Sequence, residues 1–338
     1  MISETIDRLL AGDALSVGDT EAAVGLVMRG EADPAQIAGL LVALRAKGET
    51  VDELVGAARA MRAHVVAVRP SRDDLVDTAG TGGDGSGTFN ISTTAALVAA
   101  ACGCAVAKHG NRAASSRSGS ADMLEALGVP IALSPEQAAE MIDRYGFGYL
   151  HAPAHHPAMR HAGPVRRSLG VRTVFNLLGP LTNPAGARRQ LIGVYARQWV
   201  EPMAHALAQL GCEYGMVVHG EPGIDELSPC GATTMATVRD GAVTLSELDA
   251  RELGVELCTL ADLAGGDPQR NAEISLAVLG GEPGPAADAT ALNAAATLLV
   301  AGRAADLREG LAAAREALRS GAAMATLSAL RAAGKELA

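Results

Sequence analysis

Leu75-Val76-Asp77-Thr78-Ala79-Gly80-Thr81-Gly82-Gly83-Asp84-Gly85-Ser86-Gly87-Thr88-Phe89-Asn90-Ile91-Ser92-Thr93-Thr94 is the stretch whose reading decides the fold. Leu75–Asp77 predicts a short strand, and Ser92–Cys102 a helix stopped by Gly103. Cys104–Ala107 predicts a second strand. Strand, helix and strand in this order make a crossover, the unit of a parallel sheet. Five glycines, at 80, 82, 83, 85 and 87, separate the first strand from the helix. Glycine lets a backbone approach a ligand closely, and a helix N-terminus offers unpaired N–H groups to an anion. The segment therefore reads as a phosphate cradle, against the plainer reading of a flexible loop with an ordinary cap. Gly80, Gly82 and Gly85 match G-x-G-x-x-G in spacing only. The dinucleotide fingerprint opens its helix at once and carries an acid about 20 positions later. Here the helix waits until Ser92, and residues 103–109 contain no acid.

The next loop, Lys108-His109-Gly110-Asn111-Arg112-Ala113-Ala114-Ser115-Ser116-Arg117-Ser118-Gly119-Ser120, again follows a strand and precedes a helix, predicted over Ser118–Leu127. Two such loops at the carboxyl edge of a parallel sheet converge on one crevice. Two anion-binding loops suit a ligand with two phosphate groups; a solvated basic loop is the alternative. Asp225-Glu226 lies after a predicted strand, Met216–His219, on a loop aimed at the same edge. Hard carboxylate oxygens suit Mg2+, which is commonly held by one or two acids plus substrate phosphates. Taken alone, two surface acids is the simpler reading.

Outward from this centre, the first 65 residues read as helices. Asp33-Pro34-Ala35-Gln36 and Thr50 with Glu53 are helix-start signals. Ile37, Leu40, Leu41 and Leu44 form an apolar stripe that must be buried on the remaining chain or against a second copy. Val129–Leu133 and Phe147–Leu150 read as further strands, and Ser134-Pro135-Glu136-Gln137 caps another helix. Asp240-Gly241 is the clearest hairpin signal, and the chain after Asp288 is Ala-rich and helical. Pro153–Pro184 is punctuated by Pro and Gly and fits either a hinge or a return to the helical unit.

Composition narrows the class. The 338 residues are 49% hydrophobic but only 2% aromatic, so the core rests on Ala, Leu, Val and Ile. A net charge of −10 disfavours general binding to nucleic acid or anionic lipid. Five Cys without a CxxC pair disfavour a zinc site and a disulfide framework. The N-terminus has no signal-peptide pattern, and the longest apolar run, Ala95–Ala107, is too short for a span needing about 18 residues. The expectation is a soluble, reduced, cytoplasmic protein. His151, His155, His156 and His161 precede Arg166 and Arg167. Without acids or Cys at ligand spacing, these histidines read as substrate-facing or capping rather than metal-binding. Either Arg could meet a carboxylate with two parallel hydrogen bonds.

GTGGD at 80–84, FNIST at 89–93, KHGNR at 108–112, VFNLLGPLTNP at 174–184 and GIDE at 223–226 occur in this order. In this combination the chain resembles the anthranilate phosphoribosyltransferases, over nearly its whole length. The resemblance implies an α/β fold of the nucleoside phosphorylase type: a small all-helical domain plus a larger α/β domain with a mostly parallel central sheet. The helical dimerisation domain is expected at 1–67 plus about 166–184, and the α/β domain at 73–165 and 185–338. The implied reaction moves ribose 5-phosphate from phosphoribosyl pyrophosphate to the amine of anthranilate, in tryptophan synthesis, in a cytoplasmic homodimer.

By motif match, Gly80, Gly83, Asp84, Thr88, Asn90, Ile91, Ser92 and Thr93 are expected around phosphoribosyl pyrophosphate. The same holds for Lys108, His109, Gly110, Asn111, Arg112, Ala113, Ala114, Ser115, Ser116 and Ser120. Ser92, Asp225 and Glu226 are expected to ligate Mg2+. Gly80, Asn111, Arg166, His109 and His156 are expected around anthranilate. Arg166 is preferred to Arg167 because it directly follows Pro164-Val165. No residue is assigned as a dedicated catalytic base, since an arylamine is already a neutral nucleophile. A pyrimidine nucleoside phosphorylase would share the fold but would not need the acid pair. A nucleic-acid-binding relative would need a broad basic surface.

Overall fold

The computed structural model describes residues 2–113 and 117–337. The chain opens with four helices: α1 (Ile2–Leu10), α2 (Val17–Arg29), α3 (Pro34–Lys47) and α4 (Val51–Arg62). Reciprocal capping boxes begin the last three, at Ser16/Asp19, Asp33/Gln36 and Thr50/Glu53. The Thr50 box also fastens tertiary structure. Buried Glu53 accepts from Thr50 N at 2.8 Å, Leu15 N at 2.9 Å and Lys47 Nζ at 2.9 Å. The expected stripe, Ile37, Leu40, Leu41 and Leu44, is fully buried within the chain, together with Val24, Val27, Leu54 and Val55.

The chain then alternates between strands and helices. In order come β1 (Leu75–Gly80), α5 (Ile91–Ala101), β2 (Ala105–Gly110), α6 (Ser120–Ala126), α7 (Pro135–Tyr145) and β3 (Phe147–His151). Next are α8 (Ala152–His155), α9 (Met159–Leu169), α10 (Phe175–Leu178), β4 (Arg189–Gly193), α11 (Val200–Gln209) and β5 (Tyr214–Gly220). β6 (Thr233–Arg239) and β7 (Ala242–Leu248) follow, then α12 (Pro268–Leu279), α13 (Pro285–Val300), α14 (Leu307–Arg319) and α15 (Ala322–Leu337). The seven strands form one sheet in the order β3-β2-β1-β4-β5-β6-β7. The first five are parallel, and β6 and β7 are antiparallel. Asp240 (φ 50°) and Gly241 (φ 81°) turn the β6–β7 hairpin as the sequence predicts.

Alternate residues of the sheet feed two apolar layers. Val76, Val106, Leu191 and Met216 pack with α5, α13, α14 and α15, while Ile192 and Val217 pack with α11 and the helical unit. The chain leaves β1 for β2 and β3 on one side, then returns beside β1 as β4. The order therefore reverses at β1/β4, the position where open α/β sheets bind ligands.

Two local expectations change. Val129–Leu133 forms no strand. Val129 and Ile131 are buried alternately, which imitates a strand, but Pro130 has no N–H for a ladder. β4, Arg-Gln-Leu-Ile-Gly, carries too weak an alternation to be read and forms by pairing on both sides. The Pro/Gly-rich stretch splits between functions. α9 starts at Met159, and Ala162, Val165, Phe175 and Leu178 join the core of the first four helices. No helix among the described residues is long and apolar enough to cross a membrane.

Candidate active site

Three loops meet at the carboxyl ends of β1, β2 and β5. The first is the glycine-rich run after β1. Thr81 N donates to Gly193 O at 2.9 Å, and Tyr195 N donates to Thr81 Oγ1 at 2.9 Å. Gly82 N donates to Asp225 Oδ2 at 2.9 Å, and Ser86 N to Asp84 Oδ1 at 3.1 Å. Gly82 and Gly83 have φ of 64° and 74°, where a side chain would be strained. Further along, Phe89 N donates to Leu263 O and Gly265 N to Gly87 O, so the loop is tied down at its far end too.

The acid pair comes from the loop after β5, as expected, but it does not lie on the surface. Glu226 is 9% exposed and accepts from Ser92 N at 2.9 Å at the start of α5. Asp225 fits only because β1 and β4 end in Gly80 and Gly193; a side chain at either would run into it. Asn293, inside α13, holds the loop by accepting from Leu227 N at 2.9 Å and donating to Leu227 O at 3.0 Å. Burial raises both acids above the usual carboxylate range. Asp84 beside Asp225, and Asp225 beside Glu226, add like-charge repulsion. Lys108 lies under the same edge, fully buried, with Nζ donating to Thr78 O at 2.5 Å. Burial holds its ammonium below the normal range, opposed by Asp77, Glu226 and Asp225.

The third loop follows β2. Asp122 closes it, accepting from Ala113 N and Gly119 N, each at 2.9 Å. Ser120 Oγ donates to Asn111 O at 3.3 Å and shares a hydrogen bond with Tyr149 Oη at 2.9 Å. Gly110 leaves the room those two side chains occupy. Ala114, Ser115 and Ser116 lie outside the described residues.

Several expected ligand groups are already spent on protein partners. The Arg112 guanidinium pairs with Asp122 at 2.8 Å and Glu125 at 2.9 Å. Asn90 Oδ1 accepts from Asn271 Nδ2 at 2.8 Å and from Ser118 Oγ at 3.2 Å, which joins the first loop to the third and to α12. Thr88 Oγ1 pairs with Ser86 Oγ, Ile91 and Thr93 are buried, and Asn111 Oδ1 accepts from Arg112 N. Gly80, Gly83, Asp84, Ser92 and Gly110 remain where backbone or short polar groups line the edge.

Further buried polar groups come from β2, the end of α8 and α9. His109 and His156, each 7% exposed, have ring centroids 5.0 Å apart. Burial, and then the neighbouring imidazoles (His156 for the first, His155 for the second), lower His109 to about 3 and His156 to about 4, so both rings are neutral at pH 7. His155 instead turns its Nδ1 to Val66 O at 2.9 Å, so the doubled histidines divide between linker and cluster. The Arg166 guanidinium is half-buried over the Phe175 ring at 5.4 Å, whereas Arg167 is exposed. Among the described residues, buried His109 Nε2, His151 Nε2, His156 Nε2, Arg166 Nε and Thr173 Oγ1 have no hydrogen-bond partner.

The sequence reading missed Asn183, Asn293, Asn271 and Arg172. Buried asparagines inside or beside apolar runs are a usable signal for the first three. Asn183 Nδ2 donates to Asp77 Oδ2 at 2.7 Å and Ala107 O at 2.8 Å, and burial raises Asp77 to about 6. Arg172 follows the helix-ending Gly170 and reaches Gly83 O, a contact no local pattern announces.

Comparison with known proteins agrees with this architecture. Residues 3–65 match the helical bundle domain of a glycosyl transferase family, and residues 72–324 match its a/b domain. Anthranilate phosphoribosyltransferases of Solibacter usitatus and Sinorhizobium medicae are 54% and 52% identical over 325 residues, 96% of either chain. The Thermus thermophilus anthranilate phosphoribosyltransferase structure superposes with a TM-score of 0.92 at 49% identity, covering 98% of this chain and 99% of that one. The Saccharomyces cerevisiae enzyme, in complex with PRPP and Mg, gives 0.90 at 28% identity, covering 99% and 98%. With the glycine loop and buried acid pair set on that shared frame, the chain belongs to the anthranilate phosphoribosyltransferase family.

Proposed function

We propose that this protein transfers the 5-phosphoribosyl group from phosphoribosyl pyrophosphate to the amine of anthranilate. The products are N-(5-phosphoribosyl)anthranilate and pyrophosphate, and the step belongs to tryptophan synthesis. The observation that carries the reading is the mutual locking of the acid pair and the glycine-rich loop, through Gly82 N to Asp225 and Ser92 N to Glu226, together with the buried polar atoms that His109, His156 and Arg166 leave unmet. A nucleoside phosphorylase has no use for that acid pair.

The glycine-rich loop and the start of α5 present backbone donors to the phosphates. Lys108, near the end of β2, and Ser120, at the start of α6, add polar groups on the phosphoribosyl pyrophosphate side. Arg166 meets the anthranilate carboxylate with its fork, and neutral His109 and His156 line the ring without charging the amine. The amine attacks C1 as the C1–O bond to pyrophosphate breaks, and its proton leaves to solvent or to the departing phosphate. Positioning supplies most of the effect, because the nucleophile needs no strong base.

Ser92, Asp225 and Glu226 offer the hard oxygens that Mg2+ takes, and two buried neighbouring acids gain from a divalent cation. The described residues gather no group of three His, Cys, Asp or Glu side chains as a metal cage. Mg2+ held through one or two carboxylates and substrate phosphates requires none. When bound, it stabilises charge growing on pyrophosphate.

The helical unit, 1–67 with about 166–184, is our candidate for homodimer formation in the cytoplasm. A cavity of about 660 Å³ opens on it between α3 and α9, lined by Ile37, Ala38, Pro164 and Leu169. The decisive test is loss of anthranilate fluorescence. Folded protein should consume anthranilate only when phosphoribosyl pyrophosphate and Mg2+ are both present; unchanged fluorescence overturns the reading.

A further inference from the structure

Arg172 stands outside every motif that carries the reaction, yet it touches the centre of the glycine-rich loop. Its backbone is fixed. Gly170 ends α9 in a left-handed turn, Thr173 N donates to Asn176 Oδ1 at 2.9 Å, and Val174 and Phe175 are buried. Its exposed side chain lies over the Tyr195 ring, 4.1 Å from the centroid, and donates to Gly83 O. Tyr195 is itself tied to the loop, since its N–H donates to Thr81 Oγ1, and Thr81 N donates to Gly193 O.

These contacts close a circuit: Thr81 to Tyr195, Tyr195 to Arg172, Arg172 to Gly83. The circuit encloses Gly82, whose N–H is given to Asp225. A planar guanidinium can stack on a ring and donate sideways at once, and an ammonium cannot. An isolated exposed cation would contribute little here. A stacked one that holds a loop carbonyl fixes which way the neighbouring N–H groups point. The same short segment carries Arg166, six residues earlier, and Phe175 beneath it.

We propose that Arg172 is a positioning residue that joins the two substrate sites: it fixes the glycine-rich loop from the segment that carries Arg166, so phosphate binding and acceptor binding depend on one another. The inference rests on the function proposed above for the site. It differs from that function in resting on Arg172 and Tyr195, to which the motif match assigns neither substrate.

Steady-state kinetics and amide hydrogen exchange test it together. Arg172→Ala should raise KM for phosphoribosyl pyrophosphate by ~5-fold or more, with a smaller change for anthranilate. Saturating anthranilate should alter the KM for phosphoribosyl pyrophosphate less in Arg172→Ala than in the wild type. Arg172→Lys should recover little, and Tyr195→Phe, which keeps the ring, should retain wild-type constants. Tyr195→Ala should show part of the defect, and the double Arg172→Ala/Tyr195→Ala should be no worse than Arg172→Ala alone. Exchange at residues 82–86 should quicken in Arg172→Ala without a change in melting temperature. Wild-type constants in Arg172→Ala, strictly additive defects, or unchanged exchange at 82–86 would each overturn the proposal. Exchange is read whether or not the enzyme turns over. A wild type that leaves anthranilate untouched therefore counts against the function, while quickened exchange still supports the clasp.

Discussion

The two walls of the crevice are built on opposite plans. On the phosphate wall the glycine-rich loop, acid pair and loop after β2 bind one another: Gly82 to Asp225, Ser92 to Glu226, Asn90 to Ser118 and Asn271. On the acceptor wall His109, His156, Arg166 and Thr173 each bury a polar atom without a partner among the described residues. An unmet buried donor is expensive, commonly ~1–3 kcal/mol, and is tolerated where a ligand supplies the missing bond. The first wall is thus held by its own contacts, and on the proposed function the second is completed by the acceptor. Changes to the first should disturb turnover, phosphoribosyl pyrophosphate binding or stability; removing Arg166 from the second should disturb anthranilate affinity alone.

The largest effect is expected at the acid pair. Asp225→Asn with Glu226→Gln should cut turnover by ~100-fold and flatten the response to Mg2+, since a metal contributes several kcal/mol of charge stabilisation. Titrating Mg2+ against rate in both proteins checks this. Next comes Asn183, which braces β1 against β2 and to which the motif match assigns no substrate. Asn183→Leu strands buried Asp77 and Ala107 O and should lower unfolding free energy by ~2 kcal/mol in a urea titration. Arg166→Ala should raise the Michaelis constant for anthranilate by ~10-fold and leave the urea midpoint unchanged. A fall in stability there comparable to that of Asn183→Leu would erase the distinction between the walls.

The smallest effect is a pH slope. Unfolded imidazoles titrate near 6.5, whereas folded His109 and His156 do so near 3 and 4. From pH 6.5 down to about 4 the unfolded chain therefore takes up protons that the folded chain refuses, and stability falls on acidification. Asp77 opposes this: its folded carboxyl, at about 6 against 3.8, takes up its proton first and favours the folded state as pH falls through that window. Asp225 and Glu226, raised by burial and by like charge, oppose it in the same sense. The test is therefore a difference: His156→Gln should lose less melting temperature, or gain more, than the wild type as pH falls from 6.5 to 4.5, and an unchanged dependence on pH would remove His156 from the explanation.

This contrast also marks how much the sequence could tell. Capping boxes, the Asp240-Gly241 hairpin and the glycine run are local, because the residues that cause each feature are neighbours in the chain. The choice of Arg166 over Arg167 rests instead on the family motif Pro164-Val165-Arg166. What a polar side chain is spent on is not local. Asn90 meets Asn271 181 residues away, and Gly82 meets Asp225 143 residues away. Asn90 and Arg112 were therefore legible as polar groups at the edge but not as braces committed to protein partners. β4 failed to show itself for the same reason, since its pairing with β1 and β5 makes it a strand. Val129–Leu133 showed the reverse error, an alternation with no partner strand.

The division of the walls is tested most directly by measuring both Michaelis constants in both variants under one set of conditions. The account expects a crossed pattern. Asp225→Asn/Glu226→Gln should raise the constant for phosphoribosyl pyrophosphate and spare anthranilate, while Arg166→Ala should do the opposite. If both variants shift the same substrate, or if Arg166→Ala loses phosphoribosyl pyrophosphate and binds anthranilate normally, the two walls do not divide the substrates.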